Sequence, residues 1–202
     1  MDDFATRLSQ RLGEPLLGLR AHARFSPAMT YGRHLGPAAF DTKPAAVLAL
    51  FYPINDAIHL ALTLRPSTMA SHAGQVCLPG GMKEKGETLQ EAAQREMSEE
   101  LGVDGSQYTI LGKLSQIYVF ASNFLVTPFV AYSNTRPEFI PSAAEVDRVI
   151  ELPMSDLLNP VIESLRIQRG PLDFSAPCFR YNGDRIWGAT TMMLAELADV
   201  IR

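Results

Sequence analysis

Acidic side chains are concentrated in one short segment of the sequence. Residues 89–101 read L-Q-E-A-A-Q-R-E-M-S-E-E-L, and projecting them at about 100° per residue places Glu96 and Glu100 near the middle of a helical apolar stripe. Two ionised carboxylates in a half-buried setting repel each other and lose solvation unless a cation is present. Mg²⁺ and Mn²⁺ prefer oxygen ligands and commonly bridge carboxylates to phosphates. The spacing therefore predicts a divalent-metal site, and the alternative is an ordinary solvated acidic face.

The residues next to this segment have types that suit such a site. Gly80 and Gly81 lack side chains, so the backbone of this turn can approach closely and can add a carbonyl oxygen ligand. Arg95 lies four residues before Glu99, and its planar guanidinium can clamp and orient a carboxylate. These residues indicate the chemistry of a phosphate-bearing substrate held by metal ions.

Signals on both sides define the helix that carries the glutamates. Thr88 and Glu91 form a capping-box pattern, which satisfies orphan N–H groups where the helix begins. Gly102 can adopt the left-handed conformation that ends the helix after Leu101. We therefore expect a glycine-rich loop, a helix and a glycine stop, in that order.

Apolar patterns elsewhere predict strands around this helix and further helices near the two ends of the sequence. Turn-forming residues at 53–56 separate the first two apolar runs, which predicts a β-hairpin. The predicted helices cover residues 3–12 and 188–201, and the predicted strands cover residues 45–52, 58–64, 109–114, 124–132 and 149–152.

The composition is that of an ordinary globular chain of 202 residues, of which 47% are apolar. Lys and Arg number 18 against 22 Asp and Glu, and the net charge of −4 leaves no generic basic surface for nucleic acid or anionic lipid. No apolar run approaches the roughly 20 residues of a membrane span, and Asp2 and Asp3 are unlike the start of a secretory signal. With only Cys77 and Cys178, a disulfide framework is not expected, which favours the reducing cytoplasm.

No internal repeat or low-complexity linker divides the chain. We therefore expect a single domain over residues 1–202, in which residues 1–44 form a helical and turn-rich lead-in and residues 45–202 form the catalytic core. The sequence leaves the quaternary state open, including a homodimer.

The segment from residue 81 to residue 103 resembles the Nudix box, G-x(5)-E-x(7)-R-E-U-x-E-E-x-G-U, in which U is apolar. The matching fixed positions are Gly81, Glu87, Arg95, Glu96, Glu99, Glu100 and Gly102. The resemblance implies an α/β (α+β) fold, in which a mixed β-sheet is sandwiched between α-helices. It also implies a pyrophosphohydrolase that uses Mg²⁺ or Mn²⁺ to cleave a small-molecule substrate, a nucleoside diphosphate joined to a further group.

The same resemblance implies a role for each box residue. Arg95 and Glu87 would orient the acidic side chains, and Glu99 is a candidate for the base that takes a proton from the attacking water. The metal ligands would be Glu96, Glu100, Glu99 and the carbonyl of Gly81.

Glu145 is the second candidate for the catalytic base. It precedes Val146 in a predicted loop before the strand at residues 149–152, where its carboxylate could fold back over the metal site. The alternative is a solvated loop acid, since most glutamates are exposed.

Residues 62–81 read L-T-L-R-P-S-T-M-A-S-H-A-G-Q-V-C-L-P-G-G and resemble the signature of the coenzyme A pyrophosphatase branch of the Nudix family. Ala70 stands where that signature has a second arginine, and Pro66 and Leu78 also depart from it. The resemblance implies hydrolysis of coenzyme A or its derivatives to 4′-phosphopantetheine and adenosine 3′,5′-bisphosphate. The implied substrate-binding residues are Arg65, His72, Gly74, Gln75 and Gly80.

Two other functions stay open at this point. Loss of the second arginine removes a bidentate phosphate ligand, so a hydrolase of another nucleotide-linked pyrophosphate, such as ADP-ribose, is the first alternative. A non-catalytic nucleotide sensor is the second alternative. The unbroken set of acidic box residues favours an enzyme, because binding alone does not require every metal carboxylate.

Overall fold

The computed structural model describes residues 3–27, 41–69, 72–169 and 172–202. The helices are α1 (Asp3–Leu12), α2 (Leu19–Ala23), α3 (Leu89–Leu101), α4 (Met154–Leu158) and α5 (Ala189–Ile201). The strands are β1 (Lys43–Ile54), β2 (Ala57–Leu64), β3 (Val76–Cys77), β4 (Gly80–Met82), β5 (Thr109–Lys113), β6 (Ile117–Val119), β7 (Phe124–Tyr132), β8 (Arg148–Pro153), β9 (Val161–Arg169), β10 (Leu172–Tyr181) and β11 (Asp184–Trp187).

The larger sheet has eight strands within the described ranges and is mixed. Its central path is β3-β2-β1-β7-β5, while β4 pairs with β1, β6 with β7, and β8 with β2. The long central strands β1 and β7 run parallel, and the other pairs of this sheet are antiparallel. The predicted hairpin is confirmed as β1–β2, and Asn55 in its turn has a φ of +52°.

Helices cover both faces of this sheet because β1 alternates its side chains between two apolar clusters. Phe51 belongs to the cluster that includes residues of α1 and α5. Leu48 and Leu50 belong to the cluster that includes residues of α3. The predicted mixed sheet between helices is therefore confirmed. None of the helices in the described part of the chain is long and apolar enough to cross a membrane.

A second sheet of three antiparallel strands, in the order β11-β10-β9, was not predicted. The period-2 alternation of apolar and polar residues is weak in these strands. Ion pairs link neighbouring strands. Arg166 on β9 pairs with Asp173 on β10, and Arg180 on β10 pairs with Glu163 on β9. These partners come together only when the strands pair, so the segment has little local β signal.

A fully buried carboxylate joins the N-terminal segment to α5. Glu196 accepts hydrogen bonds from the Gly18 peptide N–H (2.9 Å), the Ser115 hydroxyl (2.7 Å) and the Ser115 peptide N–H (3.2 Å). The His22 Nε2 lies 3.1 Å from Oε2, the oxygen that also accepts from the Ser115 peptide N–H. Burial opposes ionisation, but the hydrogen bonds from His22, Ser115 and Gly18 outweigh it and lower the pKa of Glu196. One ionised side chain therefore connects three separate segments.

We expect Glu196→Gln to lower the free energy of unfolding at pH 7 by about 1.5–3 kcal/mol, because charge-assisted hydrogen bonds are lost in a buried place. Because the pKa of Glu196 is lower in the native state than in the unfolded state, its ionised carboxylate stabilises the fold fully at pH values above the unfolded pKa of about 4.3. This stabilisation is lost as the pH falls through the native pKa. The difference from wild type should therefore shrink in strong acid. Urea unfolding at several pH values measures it, with the exposed Glu14→Gln as the control. Equal stabilities at pH 7 would contradict this role for Glu196.

Candidate metal centre

Three carboxylates from two parts of the chain form one group. Glu96 and Glu100 come from α3, and Glu145 comes from the loop before β8; one oxygen from each lies within 4.8 Å of the others. The Glu100 side chain is 1% exposed and that of Glu96 is 13% exposed. Their closeness and burial make this acidic group unlike a solvated helix face.

Helix α3 has the expected bounds and places Glu96 and Glu100 on one face. The capping box is present, since Thr88 Oγ1 accepts from the Glu91 N–H and the Glu91 carboxylate accepts from the Thr88 N–H. Gly102 ends the helix with a φ of +69°. Met97 is fully buried on the same side as Glu100, so core packing sets the rotation of the helix about its axis.

Backbone hydrogen bonds bring Glu145 to this helix. The Ile140 N–H donates to the Leu101 carbonyl and the Ser142 N–H donates to the Glu100 carbonyl, both at 2.9 Å. The Glu145 N–H then donates to the Ser142 carbonyl. The loop therefore uses carbonyls at the C-terminal end of α3 as its attachment points, and it returns a third carboxylate to the helix face.

Arg95 connects the remaining box residues. Its guanidinium donates to both oxygens of Glu87 (3.1 and 3.2 Å), to Glu96 (2.9 Å) and to Glu99 (2.8 Å). It also donates to the Met82 carbonyl at 3.1 Å. These hydrogen bonds, chiefly those to Glu87, raise the pKa of Arg95 above its ordinary value, so the group stays charged. Arg95 thus holds the Glu96 carboxylate and links α3 to β4 through the Met82 carbonyl.

Glu99 lies apart from the three clustered carboxylates. Its side chain is 53% exposed, and its carboxylate accepts a hydrogen bond from Arg95. Glu145, rather than Glu99, completes the group formed by Glu96 and Glu100.

The electrostatics of the group call for a cation. Burial raises the pKa of Glu100 to about 7, and Glu96 and Glu145 add to the rise while Arg65 opposes it. Burial also raises the pKa of Glu96, and the nearby Glu99 and Glu145 contribute to the same direction. Oxygen Oε2 of Glu100 is buried and has no hydrogen-bond partner within the described ranges. An oxygen-rich, electron-rich site with an unpartnered carboxylate oxygen fits a hard divalent cation.

Gly81 leaves the space that the Glu96 carboxylate fills. A Cβ at position 81 would lie 2.2 Å from Glu96 Oε1, so any side chain there would displace the carboxylate. Gly80 has a different constraint, because its φ is +152° and a Cβ would lie 2.3 Å from the Ala46 carbonyl oxygen. The two glycines are therefore needed for separate reasons, one for the carboxylate and one for the backbone.

The connection between β2 and β3 holds four of the predicted substrate-binding residues, Arg65, His72, Gly74 and Gln75, whereas Gly80 begins β4. The Arg65 N–H donates to the Gln75 carbonyl, and the Gly74 N–H donates to the Arg65 carbonyl. His72 has a φ of +57°, and its Nδ1 lies 2.8 Å from the Gln75 side-chain oxygen. The Arg65 side chain reaches Glu100 instead of projecting into solvent. Ala70 lies outside the described residues.

Sequence reasoning missed the residues that anchor the loop at residues 133–147. Arg136 donates to both carboxylate oxygens of Glu151 on β8, at 2.8 and 2.9 Å, and the Tyr52 hydroxyl donates to the same carboxylate at 3.0 Å. The Phe139 ring packs against Tyr52 and beneath the Arg136 guanidinium. No spacing pattern links residues this far apart, so the sequence has no signal for this anchor.

We expect Gly81→Ala to keep the fold but to lose the rise in Tm that Mn²⁺ produces in the wild type, because the new methyl displaces the Glu96 carboxylate. Gly80→Ala is the matched variant, and its backbone clash and positive φ should lower the free energy of unfolding by about 1–3 kcal/mol. Differential scanning calorimetry with and without Mn²⁺ checks both. A rise in Tm with Mn²⁺ as large as that of the wild type would contradict the role of the space at Gly81.

Comparisons with known proteins identify the family of this chain. A family model described as NUDIX domain matches residues 42–166, more than half of the chain. Nudix hydrolase 3 from Caenorhabditis elegans is 30% identical over 168 residues, which cover 75% of this chain and 70% of that protein. Peroxisomal coenzyme A diphosphatase NUDT7 from Mus musculus is 31% identical over 164 residues, which cover 80% of this chain and 67% of that protein.

A solved structure shares the fold. The crystal structure of MutT protein from Methanosarcina mazei covers 80% of this chain and 96% of its own, with a TM-score of 0.52 at 16% identity. That likeness concerns the fold alone. The family match over residues 42–166 and the two relatives at 30% identity or more show that this chain belongs to the Nudix family of hydrolases, whose members are pyrophosphatases.

Proposed function

We propose that this chain is a divalent-metal-dependent pyrophosphohydrolase that cleaves the diphosphate of coenzyme A or its derivatives. The observation that carries the proposal is the group of Glu96, Glu100 and Glu145 beside Gly81. The products would be 4′-phosphopantetheine and adenosine 3′,5′-bisphosphate. Support for coenzyme A comes from the resemblance of residues 62–81 to that branch and from the 31% identity to a coenzyme A diphosphatase.

Mg²⁺ or Mn²⁺ is the proposed cofactor, with Glu96, Glu100 and Glu145 as its carboxylate ligands and the Gly81 carbonyl as a further one. When bound, such an ion neutralises phosphate charge and lowers the pKa of a water molecule. Hydrolysis needs a positive charge at this site, because water must approach a phosphorus that is already surrounded by negative oxygens.

The protein side chains contribute position and proton transfer. Arg95 holds Glu96 and Glu99 through one nitrogen and Glu87 through two, so these acids keep a fixed arrangement as the substrate binds. Glu99 and Glu145 are the proposed acceptors for the proton of the attacking water. Their surroundings differ, since Glu99 is half exposed beside an arginine and Glu145 lies among carboxylates.

Four of the proposed substrate-binding residues lie on the connection between β2 and β3, which reaches the carboxylate group through Arg65, and Gly80 begins β4. Arg65 contributes charge near the diphosphate, and His72 and Gln75 offer hydrogen-bonding groups to its oxygens. Gly74 leaves room for the substrate to approach the backbone. Gly80 is proposed to bind through its peptide group, since the space of its missing side chain is taken by β1. A net negative chain needs such a local source of positive charge for an anionic substrate.

We expect Glu100→Gln to reduce hydrolysis to near background while the fold is kept, because it removes one ligand charge at almost constant volume. Without metal, the variant should be at least as stable as wild type, since a buried charge among other carboxylates is removed. Its Tm should not rise with Mn²⁺. Activity within a few-fold of wild type in Mg²⁺ or Mn²⁺ would contradict the assignment of Glu100.

A pair of variants tests the roles of Glu145 and Glu99. We expect Glu145→Gln to lower kcat and to weaken Mn²⁺ binding, because Glu145 shares the carboxylate group. Glu99→Gln should change Mn²⁺ binding less, since Glu99 lies outside that group. Titration of each variant with Mn²⁺, together with steady-state kinetics, gives both quantities. If Glu145→Gln loses kcat but binds Mn²⁺ normally, Glu145 acts as the base and not as a ligand.

A substrate panel tests the proposed specificity. We expect coenzyme A and acyl-coenzyme A to have higher kcat/KM than ADP-ribose, NADH and diadenosine polyphosphates. Chromatography of the products should identify 4′-phosphopantetheine and adenosine 3′,5′-bisphosphate. A preference for ADP-ribose would favour the other pyrophosphohydrolase, and binding without turnover of any compound would favour the sensor.

The cytoplasmic location, the single-domain organisation and a homodimeric state stay predictions. The two cysteines are free thiols, as a reducing compartment allows. The mouse relative is named as a peroxisomal protein. Cell fractionation and light scattering would test location and assembly directly.

A further inference from the structure

Arg65 contacts only one of the two carboxylate oxygens of Glu100. Its Nη1 donates to Glu100 Oε1 at 3.2 Å, while Glu100 Oε2 is buried and has no hydrogen-bond partner in the described part of the chain. The side chains are 17% and 1% exposed, respectively. Arg65 therefore binds one oxygen of Glu100, and the other oxygen has no hydrogen-bond partner among the described residues.

The backbone of Arg65 is held firmly enough to fix this contact. Arg65 follows directly on β2 and its peptide groups bond to Gln75 and Gly74, as described above. The preceding residue, Leu64, accepts a hydrogen bond from the Asp147 N–H at 2.8 Å. The end of β2 thus lies between the connection that follows it and the segment that carries Glu145.

We propose that Arg65 is a positioning residue for Glu100, which holds Oε1 so that Oε2 faces the divalent cation. This inference rests on the metal site of the proposed function. Arg65 reaches Oε1 through Nη1 alone, and the rigid plane of the guanidinium, which an ammonium group lacks, fixes the direction of that hydrogen bond. Partners that hydrogen-bond to metal ligands typically change metal affinity or activity by about 10-fold to 100-fold when they are lost.

Two physical effects of Arg65 on a bound cation have opposite signs. Its positive charge repels a divalent ion, so removing that charge alone would tighten cation binding. Its hold on Oε1 orients the ligand, so removing that hold would weaken cation binding. The direction of the change in affinity therefore distinguishes a positioning residue from a simple counter-charge.

The test is Mn²⁺ binding to the substrate-free protein, measured by calorimetric titration and by the electron paramagnetic resonance signal of the ion. The variants are Arg65→Met, which loses charge and hydrogen bonds, and Arg65→Lys, which keeps the charge. Arg166→Met is the matched control, because this exposed arginine lies on β9 in the second sheet. We expect both Arg65 variants to raise the Kd for Mn²⁺ by about 10-fold or more and the control to leave it unchanged.

Three results would overturn the proposal. Tighter Mn²⁺ binding by Arg65→Met would mean that Arg65 is only a competing charge. An unchanged Kd in both variants would mean that Arg65 serves the substrate alone. Weaker binding by Arg65→Met with a wild-type Kd for Arg65→Lys would mean that charge, not the planar group, is what Glu100 needs. If Arg65→Met does not fold, Arg65→Lys alone provides the test. A raised Kd for Mn²⁺ then supports the proposal, and an unchanged Kd contradicts it.

The same titrations separate this inference from the proposed metal site. If the wild type binds no Mn²⁺, or if Glu100→Gln binds it as the wild type does, the metal site itself is wrong. If the wild type binds Mn²⁺ and Glu100→Gln does not, the metal site stands and the Arg65 variants test the positioning role alone.

Discussion

The confinement of three carboxylates to one partly buried volume is the constraint on which the rest of this structure depends. Each carboxylate loses solvation and is repelled by the other two, so the group is unfavourable when fully ionised. Arg95 and Arg65 compensate part of this charge, at Glu96 and Glu100 respectively. The remaining negative charge is what allows the site to attract a divalent cation in competition with water.

The surrounding elements keep this unfavourable group in place. Helix α3 is capped at its N-terminal end and packed on the sheet through Met97, so its glutamates cannot rotate away into solvent. Gly81 provides the space for one carboxylate. Arg136 and Glu151 hold the loop that carries Glu145. Packing and hydrogen bonds elsewhere thus offset the local repulsion, as preorganised sites generally require.

Much of the fold could be predicted because its main elements have strong local signals. Helix α1 and strand β7 have the predicted bounds, and α5 begins one residue after the predicted start. Strands β3 and β4 are too short for any periodicity, and they exist because β1 and β2 offer backbone partners. The second sheet was missed for a related reason, since its strands are stabilised by pairing with one another.

The site divides in the same way. The spacing of residues along one helix determines which of them share a face, so the positions of Glu96, Glu100, Arg95 and the capping residues follow from local sequence. Local sequence cannot tell which distant segment covers that face. Glu99 lies beside Arg95 because the two residues are four positions apart on one helix. Packing decided that Glu145 joins the group and that Arg65 turns toward Glu100. These contacts join residues whose separation along the chain has no fixed relation to their distance in space.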